Sequence, residues 1–482
     1  MTAFFNTVKE KTPTVISAMR RFFEGKIYPA VIALAVLVGH ISGLEFYLGI
    51  PIVLAVSLSL LICPTVKPLI PAILMFIYIL NVKHTPGIPS FSNYYFEGTR
   101  LVILISAAAI LLVCLLYFTV KRILPTAKGT RAPMLIPSVL FALALLLNGF
   151  LGNMWELKNL LFAALQVFIL FVLFYLFYYG LRSEESEALI DYVIYVSILA
   201  LIVLAGEMAF LLITSKEVIN ENGAILKEQI YLGWGISNSY GCCTSVLLPL
   251  PILGAARAKS KRYALPCFAA GILAFGLTVL SLCRNAILFA AIALVASLAV
   301  CCFFGEGRRM FRIVALIGIA AVGVLLAFFG DEIITATTEY ISRDPEDSGR
   351  FDLWRFGFDI FKEYPLFGNG FYAYNEYDIY RTFDFMPIMA HNTVIQILSS
   401  MGIFGFAAYS AYRIATFIPI LRKPSCTKIM LAAPIIILLS ESLLDNFIFY
   451  IYMSFPYVIL LALLFKISKE EREKKLSEKT AS

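Results

Sequence analysis

The sequence predicts an all-α polytopic membrane protein, on the evidence of its composition and of the length and continuity of its apolar runs. Of its 482 residues, 60% are hydrophobic and 15% are charged, and the mean hydropathy is +0.85. Soluble domains contain only about 45–50% apolar residues. The apolar runs are continuous, whereas a barrel strand would alternate over roughly ten residues. We therefore predict a helical bundle of about 14 transmembrane helices, within a range of roughly 11 to 14.

The predicted transmembrane segments follow one another along the chain with one long interruption, residues 331–390. A hydrocarbon core about 30 Å thick needs roughly 20 apolar residues per helix. The runs that meet this need are 27–43, 46–63, 67–82, 101–120, 133–152, 158–181, 188–214, 236–254, 263–282, 285–304, 311–330, 390–416, 427–445 and 448–466. No small-residue cleavage site closes the first run, so we predict a retained anchor instead of a cleaved signal peptide.

The orientation follows from the basic residues, because Lys and Arg in short loops stay on the cytoplasmic side. One alternate set of loops, together with both termini, holds about 28 of the 39 Lys and Arg residues. We therefore predict cytoplasmic termini and an outward-facing long loop. The net charge of +7 is then a topology signal. It does not indicate nucleic-acid binding, because the basic residues are dispersed without stacking aromatic residues between them.

These predictions divide the chain into five parts. A basic cytoplasmic N-terminus (1–26) precedes the first eleven helices (27–330), and an extracytoplasmic loop (331–389) separates these from the last three helices (390–466) and a charged cytoplasmic tail (467–482). The nine cysteines lie mostly within apolar segments without metal-ligand spacing. The chain has no phosphate-binding lysine loop. Energy for any chemistry must therefore come from the substrate or from a gradient, and we expect the chemistry in the long loop.

Two arginines on the predicted outer side are candidate site residues. Arg284 lies in the sequence SLCRNAIL at the hydrocarbon edge, where a guanidinium is costly unless it is paired or solvated, although it could also extend to the headgroups. Arg350 begins a predicted amphipathic helix that Pro365 ends, with Leu353 or Trp354, Phe358 and Phe361 on its apolar stripe and Asp347 and Ser348 as its caps. Arg350 could instead pair with Asp347 or Asp352 on a solvated face.

His391 is the third candidate, at the start of the twelfth predicted segment. A neutral imidazole can accept a proton near neutral pH, which the amide of the adjacent Asn392 cannot. The alternative is an interfacial histidine hydrogen-bonded to a carbonyl. Because Arg284, Arg350 and His391 all face outward in the predicted topology, they can form one site.

At these residues the chain resembles a known family, the O-antigen ligase and O-antigen polymerase superfamily of bacterial membrane glycosyltransferases (Wzy/WaaL-like). The resemblance spans about 233–406. It rests on four motifs: GWGISNSYG at 233–241, SLCRNAIL at 281–288, GRFDLW at 349–354 followed by PLFGNGF at 365–371, and AHNTVIQILSSMGIFG at 390–405. The serine of the family's serine–arginine pair is Cys283 here, so only the arginine, Arg284, carries over.

The resemblance implies a GT-C-like, inverting transfer of a glycan from undecaprenyl pyrophosphate to an acceptor hydroxyl on the outer face of the bacterial cytoplasmic membrane. By this resemblance Arg284 and Arg350 hold the donor pyrophosphate and His391 is the general base, with Trp354 and Asn392 as possible substrate contacts. The product would be a surface polysaccharide made by a polymerase. A ligase that transfers to a lipid core, a wall polymer or a protein is the alternative, and both run the same chemistry.

The expected partners are membrane lipids, the lipid-linked donor, a glycan or lipid acceptor, and polysaccharide-assembly proteins, with no cofactor and no nucleic acid. A metal site at Glu376 and Asp378 is an alternative to a metal-free reaction, because such carboxylates can hold a hard cation. A flippase or transporter for lipid-linked oligosaccharides is an alternative of a different class. Transporters bind near the bilayer midplane. The embedded polar residues instead favour the outer halves of their segments: Asn148, Glu207, Arg284, Glu441 and Asp445.

Overall fold

The computed structural model is helical, in agreement with the predicted fold class. It describes residues 14–81, 95, 97–153, 155–220, 223, 225–305, 309, 311–318, 320, 349–376 and 389–481. Within these ranges there is no β-sheet, only two isolated bridges, Ile219–Ile225 and Tyr231–Ile236. The first part of the predicted outer loop and residues 377–388 lie outside the described residues.

The helices coincide closely with the apolar runs. Numbered in chain order, they are α1 Thr14–Glu24, α2 Ile27–Ser42, α3 Glu45–Ile62, α4 Leu69–Met75, α5 Gly98–Ala127, α6 Leu135–Leu146, α7 Leu157–Gly180, α8 Ser186–Thr214, α9 Ser237–Arg257, α10 Lys261–Leu280, α11 Arg284–Phe304, α12 Arg350–Glu363, α13 Thr393–Leu421, α14 Cys426–Glu441 and α15 Ile451–Ala481. Residues 311–318 are also helical.

Fewer helices than predicted are long enough to cross a membrane by themselves. In the described part of the chain nine qualify by length and composition, or ten if α1 and α2, which are bent by 63° at their junction, count as one span. The prediction of about 14 is higher because α4 and α6 are shorter than a full span and α14 has 16 residues. Most of the predicted segment 311–330 lies outside the described residues.

Helix α9 lies at the centre of the bundle. It is the least hydrophobic of the long helices, yet 94% of its 18-residue membrane-spanning stretch is buried, whereas 17% of the corresponding stretch of α5 is buried. It contacts α8, α10, α11 and α14. Its first half, SNSYGCCTSVL, is rich in small residues that let neighbouring helices approach closely, as is usual for helix packing in membranes.

Hydrogen bonds identify which helix ends lie together. The Ser237 hydroxyl at the start of α9 donates to the Ser281 carbonyl before α11, over 2.8 Å. The Thr393 amide at the start of α13 donates to the Ser442 carbonyl after α14, over 2.9 Å. The Tyr452 hydroxyl at the start of α15 donates to Ser239, over 2.7 Å. These starts and ends share one face of the bundle, called the His391 end below.

Helix α12 lies against α13, but its buried stripe differs from the predicted one. The buried residues are Leu353, Gly357 and Ile360, whereas Phe358 is 45% exposed. The buried residues keep helical spacing, but they lie on a stripe rotated from the predicted one, because Gly357 lets Tyr374 and Ile395 approach α12 closely. A Cβ at Gly357 would lie 2.1 Å from the Tyr374 hydroxyl. The aromatic residues predicted for this face are therefore not its core.

The PLFGNGF motif lies beside a break in α13 and pairs with the backbone there. Gly402 has φ 63° and ψ −161°, which interrupts the helix. Residues 365–370, the anchor segment below, run beside the break. Their backbone accepts from Ile403 and Phe404 and donates to the carbonyls of Ser399 and Ser400, over 2.8–3.3 Å. The backbone groups freed by the break are thus satisfied, as a membrane-level break requires.

The anchor segment is also tied to the connection between α6 and α7. Gly149 donates its amide to the Phe367 carbonyl over 2.9 Å. The Asn369 side chain accepts from the Asn153 amide over 2.7 Å. The Phe371 amide donates to the Asn159 side chain over 2.9 Å. The end of the long loop is therefore held between two parts of the bundle.

Helix α15 crosses the predicted boundary at 466 between the last transmembrane helices and the charged tail. Helix α15 continues without interruption to Ala481, so the charged tail is its last turns.

Candidate active site

His391 is paired with a carboxylate that the sequence analysis did not assign to the site. Its Nδ1 lies 3.1 Å from Oδ1 of Asp445, in the turn after α14. The imidazole is 31% exposed, and the Asp445 side chain is 8% exposed. Asp445 also accepts from the backbone amide of Asn446, over 2.8 Å. The histidine is thus accessible, while its partner is buried and held.

This pairing determines which imidazole nitrogen can act as a base. An ionised carboxylate only accepts hydrogen bonds, so Nδ1 of His391 carries the proton that it donates to Asp445. The neutral tautomer then leaves Nε2 without a proton, available to accept one. The carboxylate also stabilises the imidazolium that forms. The hydrogen-bond partner of the His391 Nδ1 is thus the Asp445 carboxylate, in place of the carbonyl of the alternative prediction.

Several contacts hold His391 in its unusual backbone conformation. Its φ is +51°, in the left-handed region that histidine tolerates better than most residues. On one side the Ala390 amide donates to the Gln396 side chain over 2.7 Å. On the other, Asn392 accepts from the amides of Val394 and Ile395 as the N-cap of α13 and donates its own amide to the Leu443 carbonyl.

Asn392 therefore positions His391. The side-chain oxygen accepts two hydrogen bonds and the NH2 group donates one, which leaves one N–H for the predicted contact with substrate. That contact stays a prediction.

Arg350 lies on the same side of the bundle as His391. It begins α12 after Gly349, which has φ 69°. One turn later, Leu353 packs in a small cluster with Tyr374, Ala390 and Ile395, the last two of which flank His391 in sequence. Arg350 is half-buried.

The predicted pairing of Arg350 with Asp352 is not seen. Asp352 instead faces Arg355, at 3.4 Å on the exposed side of α12. The other predicted partner, Asp347, and the predicted cap Ser348 lie outside the described residues.

Trp354 packs against the same cluster beside its neighbour Phe351, with ring centroids 5.2 Å apart. Its indole Nε1 is buried and has no hydrogen-bond acceptor among the described residues. A tryptophan N–H normally finds a partner when buried. This donor fits the predicted role of Trp354 as a substrate contact, which stays a prediction.

Arg284 is the first residue of α11 and is exposed. The preceding residue, Cys283, is buried at the His391 end. Burial raises the pKa of the Cys283 thiol, and the nearby carboxylates of Glu441 and Asp445 raise it further. The helix that begins with Arg284 thus starts within electrostatic range of the carboxylate that holds His391.

Glu441 is a second buried carboxylate at this end, one turn before Asp445. Its Oε1 accepts from the Ser245 hydroxyl of α9. Its Oε2 has no hydrogen-bond partner in the described part of the chain.

From the sequence, Glu441 and Asp445 are only polar residues in the predicted outer halves of their segments, without an assigned role. The sequence held a partial signal, the spacing ESLLD after an apolar run, yet only folding brings α14 beside the start of α13.

Aromatic residues lie between this turn and the start of α9. Tyr450 and Tyr452 are stacked with centroids 5.7 Å apart, and Trp234 contacts Tyr452 at 5.7 Å. Tyr450 and Tyr452 are half-buried. By contrast, Phe371 and Tyr374 of the long loop are buried, so they pack the loop.

The metal alternative lies largely outside the described residues, namely Asp378 and the side chain of Glu376. Elsewhere in the chain, where side chains are described, no group of three or more potential ligands is suitable for a metal ion. The metal-free reaction and its alternative, a metal site at Glu376 and Asp378, therefore both stay predictions.

Comparison with known proteins supports the resemblance noted in the sequence. Residues 269–410 match the family model Wzy_C, described as O-antigen ligase. This stretch contains Arg284, Arg350 and His391 but ends before Asp445. The predicted resemblance is confirmed over these residues. No curated protein matches the chain.

Proposed function

We propose that this protein belongs to the O-antigen ligase and polymerase superfamily and transfers a glycan from undecaprenyl pyrophosphate to an acceptor hydroxyl, as a surface-polysaccharide polymerase. The transfer would take place at the outer face of a bacterial cytoplasmic membrane, with both termini in the cytoplasm. The observation that carries the proposal is the pair His391–Asp445, at 3.1 Å, at the same end of the bundle as the starts of α11 and α12. A base with an oriented, deprotonated nitrogen is what activation of a hydroxyl requires.

The proposed reaction assigns one task to each group. Nε2 of His391 takes the proton of the acceptor hydroxyl as its oxygen attacks the anomeric carbon. The bond between that carbon and the pyrophosphate oxygen breaks on the opposite face, so the configuration inverts. Arg284 and Arg350 stabilise the negative charge that develops on the leaving pyrophosphate, for which the planar guanidinium fork is well suited. Asp445 stabilises the imidazolium until the proton leaves to solvent.

A ligase is the second candidate, because the matching family is described as O-antigen ligase. The two differ in the acceptor: another lipid-linked repeat for a polymerase, and a lipid core, wall polymer or protein for a ligase. Incubation of purified protein with a lipid-pyrophosphate oligosaccharide alone distinguishes them. A polymerase gives a ladder of lengths without further acceptor, whereas a ligase gives a single transferred unit only after an acceptor is supplied.

The same assay tests the chemistry through variants. We expect His391→Ala to abolish transfer and Arg350→Ala to reduce it strongly. Arg355→Ala is the matched control, since Arg355 lies on the same helix in an exposed pair with Asp352. Wild-type activity in His391→Ala would contradict the proposed base.

The transporter alternative is tested with the same preparations. The observation that bears on it is Arg413 of α13, a buried cation away from the His391 end, which donates to the Tyr457 hydroxyl over 2.8 Å and packs among tyrosine rings. Buried charges in membranes often mark transport paths. Movement of labelled lipid-linked oligosaccharide across vesicles by both wild type and His391→Ala, without any glycan transfer, would favour a flippase over our proposal.

A further inference from the structure

A cavity lies at the end of the bundle opposite to His391. It has a volume of about 210 Å³ and lies between the last turn of α13 and the distal half of α15. One part of its wall is apolar, with Ile418 and Phe465, and the other carries four basic residues, Arg422, Lys423, Arg472 and Lys475. None of these residues has a part in the proposed reaction.

Among the described residues that line this cavity, Glu471 is the only acidic one, and its charge is offset by a buried lysine. Glu471 is paired with Lys428, whose side chain is completely buried. Lys428 also donates to the backbone carbonyls of Arg422 and Lys423, over 3.2 and 3.1 Å. The buried ammonium therefore does two things: it offsets the carboxylate charge, and it holds the turn that carries two of the basic side chains. That turn includes Lys423 at φ 64°.

The four basic side chains differ from their neighbours at the same end. Nearby Lys466 pairs with Glu470, Lys469 with Glu473, and Arg257 with Glu187. Within the described part of the chain, no carboxylate lies at ion-pair distance from the four basic residues of the cavity. Four positive charges thus face a small space without internal compensation.

The apolar wall indicates where this space meets the membrane. Ile418 is 37% exposed and the adjacent Leu421 is 76% exposed, and both belong to the final turns of α13. Apolar side chains on the outside of such a helix face hydrocarbon, and the basic residues lie just beyond them. A phospholipid matches this arrangement, because its phosphate lies at the interface and its acyl chains lie directly below.

We propose that this cavity binds the headgroup of an anionic glycerophospholipid. The phosphate lies between Arg422 and Arg472, which can each donate paired hydrogen bonds to phosphate oxygens, and an acyl chain follows Ile418 and Phe465. Anionic lipids concentrate at the cytoplasmic leaflet, where each Lys or Arg near the surface contributes about 1 kcal/mol to their attraction. The predicted orientation of the chain places this end at that leaflet.

Direct lipid binding to the full-length purified protein tests the proposal. Fluorescent phosphatidylglycerol is titrated into delipidated protein in a neutral detergent, with phosphatidylcholine of the same chain length in parallel. The double variant Arg422→Gln with Arg472→Gln is compared with a charge-matched double variant, Lys121→Gln with Lys474→Gln. Lys474 lies on the same helix outside the cavity, and Lys121 lies on α5. Removing two of the phosphate-facing charges should weaken phosphatidylglycerol binding about 30-fold, and the control pair should change it less than about 3-fold.

The possible outcomes separate the proposal from its alternatives. Selective binding of phosphatidylglycerol that is lost only in the arginine pair supports a headgroup site. Equal binding of phosphatidylcholine, or equal losses in both double variants, overturns it. Displacement of the fluorescent lipid by inorganic phosphate at similar concentration would identify a free-phosphate site and also overturn it. Melting temperatures in phosphatidylcholine show whether the variants are folded, and Lys475→Gln gives a second, milder variant with the same expected direction.

Discussion

Replacement of Asp445 by asparagine tests the candidate site most directly. Asparagine keeps an oxygen that can accept from the Asn446 amide, a bond of 2.8 Å in the wild type, so the turn after α14 should stay intact. It removes the negative charge beside Nδ1 of His391, now at 3.1 Å. The substitution therefore separates the electrostatic contribution of Asp445 from its contribution to folding.

The size of the expected effect follows from Coulomb's law. Two unit charges about 4 Å apart interact with about 4 kcal/mol at an effective dielectric constant of about 20. Because the imidazole is 31% exposed, solvent screens a part of this, and we take about half, or ~2 kcal/mol. Since the imidazolium forms only as the hydroxyl proton is removed, this energy is lost from the transition state alone. We expect kcat to fall about 30-fold, with little change in KM for the donor.

The assay is glycan transfer from a lipid-pyrophosphate oligosaccharide, with initial rates measured over a range of donor concentrations. Asp359→Asn is the matched control: the same chemical change on α12, in an exposed pair with Lys362 at 2.8 Å. Its rate should stay within about 2-fold of wild type. The reasoning is refuted if Asp445→Asn retains wild-type kcat while it melts at the wild-type temperature. A loss of rate accompanied by a large fall in melting temperature would assign Asp445 a structural role instead.

The other predictions concern the donor site, the helix break, the cysteine and the metal. Arg350→Lys should lower kcat/KM for the donor about 10-fold, because an ammonium cannot replace the guanidinium fork, while Arg355→Lys should not. An unchanged kcat/KM would remove Arg350 from the pyrophosphate site. Gly368→Ala should destabilise the protein by roughly 2–5 kcal/mol, because Gly368 has φ +66° and an added Cβ would lie 2.2 Å from a backbone carbon of α13. Gly276→Ala is the control in thermal melting, because Gly276 has open space around it. Cys283→Ser should keep its transfer rate, because burial raises the pKa of the thiol and keeps it protonated at neutral pH, so serine replaces one neutral hydrogen-bonding group by another; loss of transfer would assign the thiol a chemical role. EDTA should leave transfer unchanged, and restoration of a lost rate by Mg²⁺ would show the metal-free reaction to be wrong.

The sequence predicted the fold class and the helix positions well because apolar run length is a direct consequence of bilayer thickness. The predicted segment 285–304, for example, corresponds to α11 at Arg284–Phe304. Helix lengths near the break and near α14 were less predictable, since they depend on contacts with distant residues. The same limit applies to the stripe of α12, where Gly357 is buried because Tyr374 and Ile395 lie against it.

The roles assigned to the candidate site residues stay predictions, and the pairing of His391 with Asp445 could not be predicted from the sequence. His391 and Arg350 were identifiable from their motifs, and the structure gives their surroundings. Asp445 lies 54 residues after His391 in sequence, so no local spacing could connect them. The PLFGNGF motif contributes to the family resemblance, but its backbone pairing with α13 depends on a helix break that a lone glycine in SSMGIF does not signal.

The pairing of the anchor segment with α13 also bears on the order in which the protein can be assembled. Residues 365–370 are synthesised and emerge before Ser399 and Ser400, so these partner carbonyls are not yet available when the end of the long loop emerges. A break inserted into hydrocarbon without that segment would expose backbone groups, at a cost of several kcal/mol for each unsatisfied group. In the predicted orientation, the half of α13 that follows His391 therefore reaches its final depth only after the loop has crossed to the same side. The glycines that set this backbone path thus link translocation of the loop to completion of the helix that follows His391.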